Sequence, residues 1–113
     1  MENSILLSIK KLLGIDAEYD IFDQDLIMHI NSTLSILNQL GIGPSNGFSI
    51  SDSSAVWSDF IDNDPRLESV KSYIYMKVKM LFDPPTSSAL IESTNKLISE
   101  LEWRLSITND INA

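Results

Sequence analysis

The sequence contains no cysteine and only one histidine, which excludes some kinds of catalytic and metal-binding site and disfavours others. Without cysteine the chain has no disulfide, no thiolate metal site and no cysteine nucleophile. His29, the single histidine, lies at the edge of a predicted helix stripe and has no partner that the sequence makes visible. We therefore expect a structural or surface role for His29 rather than a catalytic one.

Basic residues are also few. Eight Lys and Arg stand against 16 Asp and Glu, which gives a net charge of -8 and a pI near 4.3. Proteins that hold nucleic acid by neutralising its phosphates usually carry a clustered basic face, and this sequence has no such cluster. We expect a surface that repels DNA or that meets a basic patch on a protein partner.

The chain lacks a long apolar run at its start. The first residues, MENSILLSIKKLLGI, have no basic region ahead of the apolar positions, and two lysines interrupt those positions. A signal peptide and a membrane span are therefore both disfavoured. We expect assembly in the cytoplasm and no membrane partner.

No motif for phosphate or metal binding stands out. The segment GIGPSNG shares only its glycine content with phosphate-binding loops. Asp59, Asp62 and Asp64 would suit a divalent cation, but Pro65 and Arg66 follow where a calcium loop needs a glycine and further oxygen ligands. Helix capping by Asp64 is the favoured interpretation, and we expect no catalytic residue, no cofactor and no metal.

Apolar periodicity and helix-end signals predict an all-α fold, a small bundle of about four helices. The predicted helices span 4–13 before Gly14, from an N-cap at Asp23 to Gly41, from Asp64 and Pro65 to Phe82, and from Thr86 or Ser87 to Leu105. After Leu105 the apolar period is lost. The sequence thus predicts one helical domain over 1–105 and a flexible C-terminal tail over 106–113.

Residues 42–62 break the helical pattern and predict an irregular loop or a short strand. Val56, Trp57, Phe60 and Ile61 nevertheless suffice for one or two helical turns within it. A segment of this length is expected either to be packed by its own aromatic residues or to be a contact surface.

Two helices carry more apolar residues than a simple core needs. The third predicted helix has a second apolar face of Tyr73, Met76 and Met80, so it is either the central helix or one that also faces a neighbouring subunit. Core and interface remain equally open for this face. In the fourth helix Trp103 projects away from a stripe of Leu90, Leu97, Leu101 and Leu105, which favours an interface for Trp103.

Two adjacent prolines, Pro84 and Pro85, separate these two long helices. Neither proline can donate a backbone hydrogen bond, and each restricts the residue before it. We expect the pair to form a rigid corner that fixes the angle between the helices.

The order of these segments resembles the head-tail connector, or adaptor, proteins of long-tailed bacteriophages. The resemblance covers nearly the whole chain, through LLGI, FDQDLIMHIN, LGIG, VKSYIYMKVKMLFDPP and LISELEWRL. Its most specific part runs from Tyr73 to Leu105. The resemblance implies a non-enzymatic virion protein at the head-tail junction, which forms a ring of twelvefold symmetry beneath the portal and extends the DNA channel toward the stopper and tail.

The resemblance also implies contact residues. The candidates for the portal protein are Trp103, Arg104, Leu105 and Ile107. The candidates for a neighbouring subunit or for the stopper or tail-completion protein are Phe48, Ile50, Trp57, Phe60, Tyr73, Met76 and Met80. Duplex DNA would pass through the channel without specific binding. Composition alone leaves open a different class, a small acidic helical module or regulator that masks a basic partner.

Overall fold

Helices joined by irregular segments make up the computed structural model, which describes residues 3–112, with side chains described from residue 3 to residue 107. The helices are α1 (Ile5–Leu13), α2 (Asp23–Gln39), α3 (Trp57–Phe60), α4 (Leu67–Phe82) and α5 (Ser88–Asn112). No strand forms between residues 3 and 112, although an isolated antiparallel bridge joins Ser4 and Val56. The predicted all-α fold is confirmed.

The ends of α1 are fixed by the residues that the sequence marks. The Ser4 hydroxyl accepts a hydrogen bond from the Leu7 N–H at 3.2 Å, which satisfies a backbone donor that the helix leaves unpaired. Gly14 adopts a left-handed conformation, with φ of 79°, and ends the helix. Between these caps Ile5, Leu6 and Ile9 are buried.

The start of α2 differs from the prediction. Asp23 is the first helical residue rather than the N-cap, which is Phe22. The Asp23 carboxylate faces the Lys10 ammonium, with Oδ1 and Nζ 2.8 Å apart, so it is engaged across the fold instead of capping its own helix. Its place in the first turn still lets the helix dipole stabilise the negative charge.

Lys10 is the most unusual residue in the core, because its side chain has 0% exposure. Besides the ion pair with Asp23, the ammonium donates to the carbonyl oxygens of Ala17 at 3.0 Å and Tyr19 at 2.8 Å. All three donors of the ammonium are therefore used, which a buried charge requires. These bonds fix the segment 15–22 against α1 and α2.

The loop between α2 and α4 is packed by its own side chains, one of the two alternatives predicted. The Asn31 amide donates to the Ile50 carbonyl at 2.9 Å and accepts from the Ile50 N–H at 2.8 Å, as a neighbouring strand would. Gly43, at φ of 90°, lies so close to the Phe60 ring that a Cβ atom there would clash. The helical turns predicted near Trp57 are present as α3.

Asp64 and Pro65, which were predicted to begin α4, lie in a turn before the helix. The Asp64 carboxylate accepts from the Arg66 N–H at 2.8 Å and pairs with its guanidinium at 2.7 Å. The hydrogen bonds from Arg66 hold the pKa of Asp64 below its usual range. Asp64 thus stabilises the approach to the helix, but α4 begins at Leu67, three residues after it.

Of the two alternatives left open for the third predicted helix, the structure shows the central position, because α4 packs against α1, α2 and α5. Val70, Ile74 and Val78 are fully buried. Tyr73 is also buried, and its hydroxyl donates to Glu102 Oε2 of α5 at 2.6 Å. Burial, together with the bond to Glu102, raises the pKa of Tyr73 above its usual value.

The predicted end of the last helix at Leu105 is wrong, because α5 continues to Asn112. No glycine or proline lies between Leu105 and Asn112 to break the helix, and loss of apolar period does not by itself end one. The side chains of 108–112 and all of Ala113 lie outside the described residues. The flexibility expected for 106–113 stays a prediction.

The two long helices differ in length, and α5 extends beyond α4. Tyr73 lies nine residues before the end of α4, whereas its partner Glu102 lies fourteen residues after the start of α5. At about 1.5 Å per residue, the first turn of α5 reaches roughly 7 Å past Phe82. Residues 88–90 are accordingly exposed.

Replacing Lys10 by methionine should lower the free energy of unfolding by about 2–4 kcal/mol, because Asp23 and two carbonyls lose their shared partner. Urea unfolding at neutral pH measures the change. Lys11→Met is the matched control, since Lys11 is exposed and should cost less than ~0.5 kcal/mol. Equal stabilities of the two variants would contradict this account of Lys10.

Tyr73→Phe keeps the ring but removes the hydrogen bond to Glu102, and should cost about 1–3 kcal/mol, since that bond has a charged acceptor. The control is Tyr75→Phe, on the same helix but facing α1. We expect less than ~0.5 kcal/mol from the control. Thermal unfolding of both variants checks this, and a Tyr73→Phe midpoint equal to that of wild type would count against it.

Candidate protein-interaction surfaces

Trp103 and Arg104 lie on the outer side of α5. Trp103 is 63% exposed, which is unusual for a tryptophan in a domain of this size. Arg104 is exposed as well, and its guanidinium pairs with Glu100 at 2.6 Å, one turn earlier. Both side chains are accessible to a partner, and the portal contact expected for them stays a prediction.

Leu90 and Leu97 also face outward, with 58% and 51% exposure. The sequence places them on a leucine stripe with Leu101 and Leu105, but the buried side of α5 is centred on Ile98 and Leu105. Their seven-residue spacing puts both leucines on one line along the helix. Arg104, seven residues after Leu97, continues this line, whereas Trp103 lies about a third of a turn away around the helix. We define the α5 outer surface as these four exposed residues, Leu90, Leu97, Trp103 and Arg104.

Leu105 and Ile107 differ from this surface. Leu105 is 2% exposed and belongs to the core, so it packs α5 against the bundle and is not accessible on the surface described here. Ile107 is half-buried. A contact role for either residue stays a prediction.

The predicted contact residues of the loop lie mostly inside the domain. Ile50, Trp57 and Phe60 are each 4% exposed, and Phe48 is half-buried with its ring 5.3 Å from that of Phe60. The Trp57 indole also donates to the Ser8 hydroxyl at 3.1 Å. The longest exposed run of the loop is residues 51–54, which carry small and polar side chains.

The second apolar face of α4 is covered within the chain. Tyr73 is fully buried, while Met76 and Met80 are half-buried and pack against the core. The corner with Pro84 and Pro85 joins α4 to α5 as expected, with Pro84 exposed and Pro85 half-buried. The Ser87 hydroxyl accepts from the Leu90 N–H at 3.4 Å, so α5 begins next to one of the two residues predicted to start it.

Two of the three carboxylates considered for a metal site have other roles. Asp59 accepts from the Val56 N–H at 3.0 Å at the start of α3, and Asp64 pairs with Arg66. Within residues 3–107 no three His, Asp or Glu side chains form a group that could hold a metal ion. In the same range, no helix combines the length and apolar character needed to cross a bilayer.

Comparison with known proteins gives one clear match. A family model described as phage connector protein matches residues 5–112, which is nearly the whole chain. Searches among curated proteins and among solved structures returned no match. With this match added to the helical fold, the chain belongs to the phage connector protein family and has a structural role in the phage particle.

Proposed function

We propose that this protein is a head-tail adaptor that forms a ring of twelve copies beneath the portal. The ring would extend the DNA channel and offer a docking platform to the stopper or tail-completion protein. The single observation that carries the proposal is the α5 outer surface in a chain of the connector family. A catalytic role is not proposed.

The portal is the partner we assign to the α5 outer surface. Leu90, Leu97 and Trp103 are each more than half exposed, and they give α5 two accessible apolar sites, the line of the leucines and the Trp103 side. Exposed apolar groups of this size often mark protein interfaces. Tryptophan and arginine are also the residues most enriched among those that dominate binding energy. The first turn of α5, which extends past α4, adds accessible length to this surface.

The stopper and the neighbouring subunit are assigned to the remaining surfaces. Residues 51–54 lie on a loop that Ile50, Trp57 and Phe60 anchor in the core, so the loop presents a rigid edge rather than a flexible one. A rigid edge loses little conformational entropy on docking. The buried aromatic residues would then act indirectly, by holding this edge in place.

DNA would pass through the ring without specific binding. The net charge of -8 raises the electrostatic cost of a close approach by phosphates. An adaptor of this charge would line the channel with groups that do not retain the duplex during ejection.

Negative-stain microscopy of portal rings incubated with the purified protein tests the proposal. We expect an added ring of density on one face of the portal. Bare portals, with packaged heads as a second target that also stays bare, would contradict the adaptor function.

Trp103→Ala should weaken portal binding by roughly tenfold or more, the usual effect of truncating a central interface tryptophan. Co-sedimentation with portal rings measures it. Leu81→Ala is the matched control, because Leu81 is a similarly exposed apolar residue at the end of α4 and outside the α5 outer surface. Equal losses in the two variants would contradict the assignment of Trp103 to the interface.

The double substitution Pro84→Ala and Pro85→Ala should leave helix content similar but weaken portal docking. Two alanines relax the corner, so α5 would lose its fixed angle to α4. Circular dichroism and co-sedimentation together check this, with Pro44→Ala in the α2–α3 loop as control. Portal docking equal to that of wild type would contradict a role for the proline corner in portal binding.

A further inference from the structure

Charge is unevenly divided along the chain. Between Leu12 and Pro65 there is no lysine or arginine, while nine aspartates and glutamates lie in that interval. This interval holds the segment 15–22, α2 and the loop that follows. The basic residues lie instead in α1, in α4 and its approach, and in α5. The segment 15–22, α2 and the loop that follows therefore carry no positive charge of their own.

Around the start of α2 lies a surface that is both acidic and apolar. Met28 is 58% exposed and lies one turn after the exposed Asp25 on the same side of α2, and Ile21, which is 68% exposed, lies in the turn just before the helix. Asp20 is exposed beside them. The opposite side of α2, with Leu26 and the other core residues, packs toward α4. We define the acidic face as Asp20, Ile21, Asp25 and Met28, of which the helical residues Asp25 and Met28 point away from α4.

A groove of matching character lies between α1 and α4. It has a volume of about 400 Å³ and includes Lys11, Leu12, Lys71 and Tyr75, with Glu68 as its one acidic residue. Leu12 and Lys11 are exposed. The Lys71 ammonium lies 5.4 Å from the centre of the Trp57 ring, a cation-π contact that holds the lysine at the edge of the groove. We define Lys11, Leu12, Lys71 and Tyr75 as the basic groove.

The two surfaces face different directions. On α4 the groove residues Glu68 and Ser72 are exposed, on the side away from the buried Val70 and Ile74. The acidic face lies beyond α2, which packs on α4. One copy therefore cannot bring its own acidic face into its own groove, whereas a second copy can.

We propose that the acidic face of one copy docks in the basic groove of a second copy of this chain. Asp20 and Asp25 would pair with Lys11 and Lys71, and Ile21 and Met28 would pack against Leu12 and Tyr75. Charge complementarity between two surfaces of the same chain is the argument for this occupant. Because the two surfaces differ, the contact is head-to-tail and builds a ring or an open chain rather than a closed dimer.

The proposal rests on the adaptor function for ring closure, but the contact itself is independent of the portal. Four side chains on each surface bury much less than the roughly 1,000 Å² of a stable interface, so two free copies should bind only weakly. A contact of this strength needs the added copies of an assembly, or chemical trapping, to be detected.

Disulfide trapping tests the contact, and the absence of native cysteine makes it clean. Gln24 is exposed beside the acidic face and Ser72 is exposed in the groove, so the double variant Gln24→Cys with Ser72→Cys places one thiol on each surface. Mild oxidation should give a ladder of dimers, trimers and larger species on a non-reducing gel. Each single variant should give no species beyond a dimer.

Charge reversal supplies the matched controls. In the double-cysteine background Lys71→Glu should reduce the ladder by roughly tenfold, and added Asp25→Lys should restore it, because the pair is re-formed with opposite signs. Lys96→Glu makes the same charge change on α5 and should leave the ladder intact. A double-cysteine variant that yields no ladder, or a ladder that Lys96→Glu reduces as much as Lys71→Glu, would overturn the proposal.

The outcome separates this contact from the adaptor function. A ladder without added density on portal rings would contradict the adaptor function and leave the contact between copies supported. Added density without a ladder would contradict the contact and leave the adaptor function supported.

Discussion

The arrangement of the first half of the chain depends on the three polar interactions of the Lys10 ammonium. This ammonium is fully buried, and it joins α1 to Asp23 of α2 and to two carbonyls of the segment between them. A buried charge is tolerated only when all of its hydrogen-bonding capacity is used. The path of residues 15–22 is therefore set by the needs of one side chain, and with it the point where α2 begins.

The second half of the chain depends on that arrangement in turn. With α1 and α2 placed, they cover one side of α4, and α5 covers another. The bond from Tyr73 to Glu102 sets the register between the two long helices. Because α5 is nine residues longer than α4, this register leaves part of its length uncovered. In the surface that we assign to the portal, the exposure of Leu90 follows from that difference in length, whereas Trp103 and Arg104 are exposed because they face away from α4.

Local signals in the sequence predict the helices well, because the groups that end a helix lie within a few residues of it. Ser4, Gly14 and Ser87 each act where the sequence places them. The central role of α4 was also accessible, since a helix that is apolar on two sides needs two partners. The family resemblance is confirmed over residues 5–112.

Features that depend on the rest of the fold could not be read in this way. Asp23 has the form of an N-cap, and only the proximity of Lys10 in space shows its actual partner. Leucine spacing tells which residues share a side of α5, but whether another helix covers them depends on register, so the spacing does not show that Leu90 and Leu97 are exposed. The family resemblance implies intermolecular contacts for the loop aromatics, but large apolar side chains are more often buried inside their own domain.

A well-packed bundle of α1, α2 and α4 holds a long helix, α5, and we propose that the outer surface of this helix is free to bind the portal. Hydrogen exchange of the protein alone and on portal rings, followed by mass spectrometry, measures this most directly. The account predicts slow and unchanged exchange in α4, with protection gained in α5 when the portal is present. Protection gained elsewhere while α5 stays unchanged would contradict it.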